Sequence, residues 1–418
     1  MFQLDKIDRS SIWFLLVVLT AMVFPWHERV STIGLLLLVL HWLFDRDLLY
    51  KIKSIKIDTA MVLFFSFFLM HVIALFWSDY KSEGIHSIEV KLVFLILPIL
   101  FSSENYLNSL RRNVLEWAFI FSCLLSFLYC IIVAYSRNPN NSVSFLFERM
   151  TISDPLMHPG YLSNYIVFAF VFVCLKLTRN NKKELRLKLV LITIGIILLF
   201  ALFVFISKTA LLFLGFFIVY LLWKLSSYIQ NTIVRIVVVC CLLLSVGLVS
   251  YTIPSVKYRF NETRMNIPEK KPSEVMFWHS TSARIAAWNL EWDLIQQKPI
   301  VGYGTGAANP LLLNLFKQKG YTDLVKYNMH THNQVFHTWL DLGLLGIVLL
   351  FVSLFYVAYL FVVKQKNEIG FWMIVLTLVN ISTDDMLEIQ AGVVFFIFFI
   401  TLFLYKNKAT VKKLRYTY

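Results

Sequence analysis

Residues Asn328–Gly346 read NMHTHNQVFHTWLDLGLLG. Three histidines, His330, His332 and His337, fall within eight residues. They stand where a polar stretch of about 80 residues (252–333) gives way to an apolar run beginning near 342. A polar segment that long between runs too apolar for a soluble core is the mark of a membrane protein with one large loop. The histidines then lie at the lip of the bilayer.

Composition agrees. Apolar residues make up 58% of 418 residues and charged residues 15%, against about 25% charged in soluble domains. The apolar residues come in blocks of roughly 15 to 22, close to the length a helix needs to cross about 30 Å of hydrocarbon. The expected fold is all-α, a polytopic transmembrane helical bundle. About twelve spans are predicted, at 12–25, 30–44, 59–77, 87–101, 114–134, 159–177, 189–206, 209–224, 232–251, 342–363, 370–383 and 390–405. Three parts follow: a bundle over 1–251, an outer loop over 252–333, and the last three spans with a basic cytoplasmic tail over 334–418. No cleavage site follows the first apolar run, which is therefore expected to remain as a span.

The net charge of +14 is distributed unevenly. With both termini cytoplasmic, the inner segments carry 22 Lys and Arg, and the short outer loops carry Arg29, Lys81, Arg137, Arg149 and Lys208. This asymmetry sets the orientation. It places the tail KNKATVKKLRYTY against anionic lipid and leaves no case for nucleic acid as a partner. All five cysteines sit in apolar runs, which signals neither a disulfide framework nor a CxxC metal site.

Within the loop, STSARIAAWNLEWDLIQQKP (280–299) predicts an amphipathic helix with Ile285, Trp288, Trp292 and Ile295 on one face and Pro299 past its end. GYGTG (302–306) lacks the Gly-Lys-Ser/Thr of a P-loop and reads as a tight turn. The histidine segment has three readings: interfacial residues, a metal site, or a general base that takes a proton from a hydroxyl. Two ligands at i, i+2 do not share a helix face, so no metal and no cofactor is expected there. A base needs an electrophile with a stabilised leaving group. Arginines on the outer face, Arg284, Arg259 and Arg264, suit an anionic one because a guanidinium grips phosphate bidentately. Lys208, in a short connection between apolar runs, must snorkel, pair or face water; Glu89 and Lys91 raise the same question. His158 in HPGYLSNY adds a polar group at the outer end of a span. Asp384, Asp385 and Glu388 lie on the outer side as a possible cation or acceptor site, and the acidic pair in DRD (45–47) on the inner side.

ARIAAWNLEWDLIQQKPIVGYGTG followed by HTHNQVFHTWLDLGLLG resembles the signature region of the O-antigen ligase and polymerase superfamily, and SKTALLFLGFF resembles its start. The motifs cover about 205–350. The resemblance implies an inverting, metal-independent glycosyltransferase of a bacterial inner membrane. Its donor is a glycan on undecaprenyl diphosphate, its active site periplasmic, its acceptor lipid A-core (ligase) or a second lipid-linked glycan (polymerase). Ligase is favoured; a transporter or flippase of a lipid-linked or anionic solute is the alternative of another class. By resemblance His332 is the catalytic base, Asn333 its neighbour, and Arg284 the arginine on the diphosphate. Lys208 stands where the family usually has arginine. Arg264 is a further diphosphate candidate, with His330 and His158 in support. His330 and His337 are expected to matter less than His332.

Overall fold

The computed structural model describes residues 9–55, 57–104, 107–137, 156–179, 184–205, 207–226, 231–234, 236–237, 272, 275 and 280–405. Among these the chain is helical, without strands. The helices are α1 (Arg9–Val23), α2 (Glu28–Leu43), α3 (Leu48–Ser54), α4 (Thr59–Ala74), α5 (Lys81–Lys91), α6 (Val93–Ser103), α7 (Ser109–Ser136), α8 (Pro159–Thr178), α9 (Leu185–Phe205) and α10 (Lys208–Leu225). After them come α11 (Ser280–Gln297), α12 (Ala308–Lys319), α13 (Thr322–Lys326), α14 (Gln334–Tyr359), α15 (Glu368–Ile381) and α16 (Gln390–Leu404).

Among the described residues, seven helical stretches are long and apolar enough to cross a membrane: Thr59–Trp77, Lys81–Ser103, α7, α8, α9, α10 and Gln334–Lys364. Four shorter apolar helices accompany them: Arg9–Val23, Arg29–Leu43, α15 and α16. The run expected to begin at 87 starts earlier, because α5 leads into α6 with only a one-residue break at Leu92. The predicted span at 232–251 lies almost wholly outside the described residues, as do most of 252–279 and the basic tail.

Two helices form the centre. Every residue of α16 from Ala391 to Leu404 is buried, and so is nearly all of α8. A helix apolar on all sides needs cover on all sides. Here α2, α6, α7, α9, α10 and α15 supply it around the pair. Phenylalanines fill the contact: Phe119, Phe168, Phe172, Phe395 and Phe399 meet edge to face at ring separations of 5.1–6.3 Å. Polar groups inside are matched. Asn164 of α8 and Asn380 of α15 exchange two amide hydrogen bonds, at 2.7 and 3.1 Å, and the Tyr165 hydroxyl donates to the Ala391 carbonyl at 2.7 Å. Unsatisfied amides would be costly at that depth.

The two ends of the bundle differ in chemistry. One end gathers ion pairs: Lys51 with Asp45 and Glu104, Arg112 and Lys176 with Glu116, and Lys224 with Glu368. Asp45 of the DRD stretch is thus neutralised by Lys51 and Arg9. At the other end α10 and α14 begin, α15 stops and α16 starts, and the histidine segment sits there.

The helix α14 is broken at Gly343, whose φ of 69° and ψ of −165° are not helical. The break leaves carbonyls without their usual partners, and the 299–306 turn supplies new ones. Tyr303 N–H donates to Leu340 O at 2.7 Å and Gly304 N–H to Asp341 O at 2.9 Å. Leu344 N–H donates in return to Pro299 O at 2.9 Å. The approach demands glycine: a Cβ on Gly343 would lie 2.0 Å from the Ile300 carbonyl oxygen, and one on Gly302 2.6 Å from Leu340 O. The GYGTG stretch is therefore a plug seated in a helix break.

Candidate functional site

The site forms where three segments meet: the 328–334 approach to α14, the 382–389 turn between α15 and α16, and the start of α11. His332 has φ 47°, a left-handed conformation uncommon for a residue with a side chain. Its neighbour Asn333 caps α14, the side-chain oxygen accepting from Val335 N–H at 2.9 Å and Phe336 N–H at 3.3 Å. The cap fixes where the helix starts and so where His332 projects. The 382–389 turn is tied to the same helix start through Gln334. That side chain accepts from Leu387 N–H at 2.8 Å and donates to Glu388 at 2.9 Å, while its backbone N–H donates to Asp384 O at 3.2 Å.

These ties bring Asp384 to His332, Oδ1 to Nδ1 at 3.0 Å, with the imidazole 24% exposed. Burial alone would raise the Asp384 carboxyl. The hydrogen bond and charge of His332, a side-chain hydrogen bond from Asp385 and the Arg284 guanidinium outweigh it and hold Asp384 well below the carboxylate range. An ionised Asp384 facing Nδ1 assigns the hydrogen to that nitrogen and leaves Nε2 free to accept a proton. Asp385 goes the other way: burial and the neighbouring Asp384 charge raise its carboxyl.

The cations converge from two helix starts. Lys208 opens α10 and its Nζ donates to Thr281 Oγ1, in the first turn of α11, at 3.0 Å. Thr209 and Thr383 share a hydrogen bond at 2.9 Å, which ties α10 to the Asp384 turn. Arg284 follows Thr281 by three residues on the same side of α11, close enough to Asp384 to lower its carboxyl, and its buried Nε has no partner among the described residues. Two helix starts and two cations thus gather around the Asp384 turn that holds the imidazole, an arrangement suited to an anion. Trp288 Nε1 donates to Thr331 O at 3.3 Å and joins α11 to the histidine segment.

The other residues singled out in the sequence fall as follows. His330 is exposed. His158 caps α8, its Nδ1 accepting from Gly160 N–H at 3.2 Å. Arg259 and Arg264 lie outside the described residues. Glu89 is exposed beside His86, whereas Lys91 is wholly buried and paired with Glu388. The helix at 280–297 forms, and its buried face matches the expected one in part: Ile295 is buried and Trp288 packs half-buried against the inner cluster. Ala283, Ala286, Ala287, Leu290, Leu294 and Ile295 pack inward, while Trp292 is 43% exposed and leans on Phe336 and Trp339. Alanines win the inner face because they let α11 lie close to α12 and α14; the indoles wrap the edge.

On that inner face sits Glu291, fully buried, with neither carboxylate oxygen partnered among the described residues. Burial raises its carboxyl well above the usual range, and the Asp385 charge adds to this. The sequence carries the signal for it, a lone acid among the apolar positions of α11 seven residues after Arg284, though the apolar spacing drew attention elsewhere. His332, Asp384 and Asp385 could each offer one ligand atom to a metal, within 4.8 Å of one another; the Asp384 oxygen nearest the ring already accepts from Nδ1.

A many-helix membrane bundle bearing a histidine–carboxylate pair at one end, with a lysine and an arginine gathered about the same turn, defines the class. Residues 193–351 match the model of a family described as O-antigen ligase, and the match supports placing the chain in the O-antigen ligase superfamily. It takes in Lys208, Arg284, His332 and the first part of α14 with its break at Gly343. A search of curated proteins finds no match to the chain.

Proposed function

We propose that the protein is an inverting, metal-independent glycosyltransferase that moves a glycan from undecaprenyl diphosphate to an acceptor sugar, with lipid A-core as the acceptor. The observation that carries this reading is the His332–Asp384 pair beside Arg284 and Lys208. It supplies a base and an anion cradle side by side, as transfer from a diphosphate requires.

In this mechanism Nε2 of His332 takes the proton of the acceptor hydroxyl as its oxygen attacks the anomeric carbon. The bond from that carbon to the diphosphate oxygen breaks, and its electron pair leaves on undecaprenyl diphosphate. Asp384 holds the ring through Nδ1 and stabilises the imidazolium that forms. Arg284, aided by Lys208 and the starts of α10 and α11, takes up the growing negative charge. Arg264 is a further diphosphate contact. Attack from the face opposite the leaving group inverts the anomeric centre.

The clustering of Lys and Arg at the far end of the bundle supports a bacterial inner membrane orientation with cytoplasmic termini and a periplasmic site. A lipopolysaccharide gel of a deletion strain tests the acceptor. The ligase reading expects bare core, with long glycans left on the carrier; core bearing one repeat unit would instead make the enzyme a polymerase. Unchanged lipopolysaccharide, with loss of transport of a lipid-linked or anionic solute, would overturn both.

A further inference from the structure

A second histidine stands behind the first. His337, one turn into α14, is 3% exposed. Its Nε2 faces two carboxylates, Asp341 Oδ2 at 3.6 Å and Glu388 Oε2 at 3.4 Å. Glu388 also takes the ammonium of Lys91 and a hydrogen bond from Ser87 at 3.0 Å. His71 lies near the same group and feels the charges of Lys91, Glu388 and His337. Two buried carboxylates against one ammonium leave a charge unmatched, and His337 is placed to supply the missing positive one. Buried charge without a counter-charge is costly enough to decide the matter.

A positive His337 has hydrogens on both nitrogens. Nδ1 is 3.2 Å from Thr331 Oγ1, so Nδ1–H donates and Thr331 accepts. The Thr331 hydroxyl is then committed to donate onward, and Asp385 Oδ2 lies 3.2 Å from it. Thr331 is itself fully buried and adjoins His332 in the chain. The path Glu388–His337–Thr331–Asp385 thus begins and ends on the 382–389 turn, and His337 and Thr331 clamp that turn, which carries Asp384, against the start of α14. Direction is fixed at every step by which group owns the hydrogen.

We propose that His337 is a positioning residue for glycosyl transfer: carrying a positive charge between Asp341 and Glu388, it holds Thr331 against Asp385 and so fixes the turn whose Asp384 orients the His332 ring. This inference rests on the glycosyl-transfer reading. It keeps the sequence expectation that His337 matters less than His332 and gives it a role.

The test uses the full-length purified chain in lipid, with an undecaprenyl-diphosphate-linked glycan as donor and a lipid A-core acceptor. His337→Ala removes the brace at its charged end. Thr331→Val breaks the path while keeping side-chain shape and all charges. Each should lower kcat by about 10- to 100-fold, the scale of an ångström-level misplacement, with KM for the donor within about twofold. Because both act on one path, the double variant should be no slower than His337→Ala alone. Wild-type kcat in either variant, a loss confined to KM, or losses that multiply would overturn the proposal. Should His337→Ala fail to accumulate in the membrane, Thr331→Val decides alone. His332→Ala in the same assay separates the two readings. If it stays active, glycosyl transfer through His332 fails; if it is inactive while Thr331→Val is not, only the brace fails.

Discussion

At His332 the backbone is held left-handed and the ring is held by a carboxylate 52 residues away in sequence. The histidine was legible in the sequence because three such residues cluster at the end of a polar stretch; its partner was not, because nothing in a linear reading pairs Asp384 with it. Replacing His332 by Ala should cost about 10²–10⁴ in transfer rate at unchanged membrane level. Normal lipopolysaccharide from such a strain would remove it from the reaction. Asp384→Asn keeps the side chain's size but removes the ionised acceptor of Nδ1–H, and should slow transfer by a comparable factor, read as kcat in vitro. Arg284 is expected to act by shape as well as charge. Lysine there keeps one point charge but loses the two parallel hydrogen bonds, so Arg284→Lys should lose much of the rate and Arg284→Ala about 10²–10³-fold. At Lys208 the native group is already an ammonium, so Lys208→Arg should be tolerated and Lys208→Ala not. If Arg284→Lys, Arg284→Ala and Lys208→Ala all ran at the wild-type rate, the diphosphate assignment would be lost.

Among the elements, the spans were the most readable feature, since apolar runs leave a helix few alternatives in lipid. The face of α11 was not readable in the same way. Its Ile and Trp spacing is regular, yet close packing chose the alanines, because helix approach depends on what is small as well as on what is apolar. The residue hidden by that misreading, Glu291, has a consequence for pH. Its carboxyl is raised by burial first and by the Asp385 charge second. An acid raised on folding contributes stability that is complete below its unfolded value and is lost as pH rises through the folded one. The docking of α11 should therefore weaken toward alkaline pH in the native chain. In Glu291→Gln that alkaline loss should disappear. Thermal unfolding followed across pH is the measurement, and coincident alkaline limbs in the two proteins would sink the idea.

For the whole molecule, the site draws on four segments spread through the second half of the chain: α10, which begins at its midpoint, and α11, α14 and the 382–389 turn. A metal-independent scheme predicts that transfer by purified enzyme survives EDTA; activity lost on chelation and restored by a divalent ion would reassign His332, Asp384 and Asp385 as its holders. The plug in α14 bears on something else, how far the covalent chain is needed at all. Between the 299–306 turn and α14 the backbone makes hydrogen bonds of its own at Tyr303, Gly304 and Leu344. Asp341 adds two more, from Gly306 N–H at 2.8 Å and Ala308 N–H at 3.0 Å. Gly320, between α12 and α13, is exposed, and a side chain built there would touch nothing within 4 Å. A chain cut at that point would keep its seam, so fragments 1–320 and 321–418 produced together should find one another in the membrane, copurify and restore transfer. Gly343→Val, which puts side-chain atoms where Ile300 now sits, should abolish that reassembly.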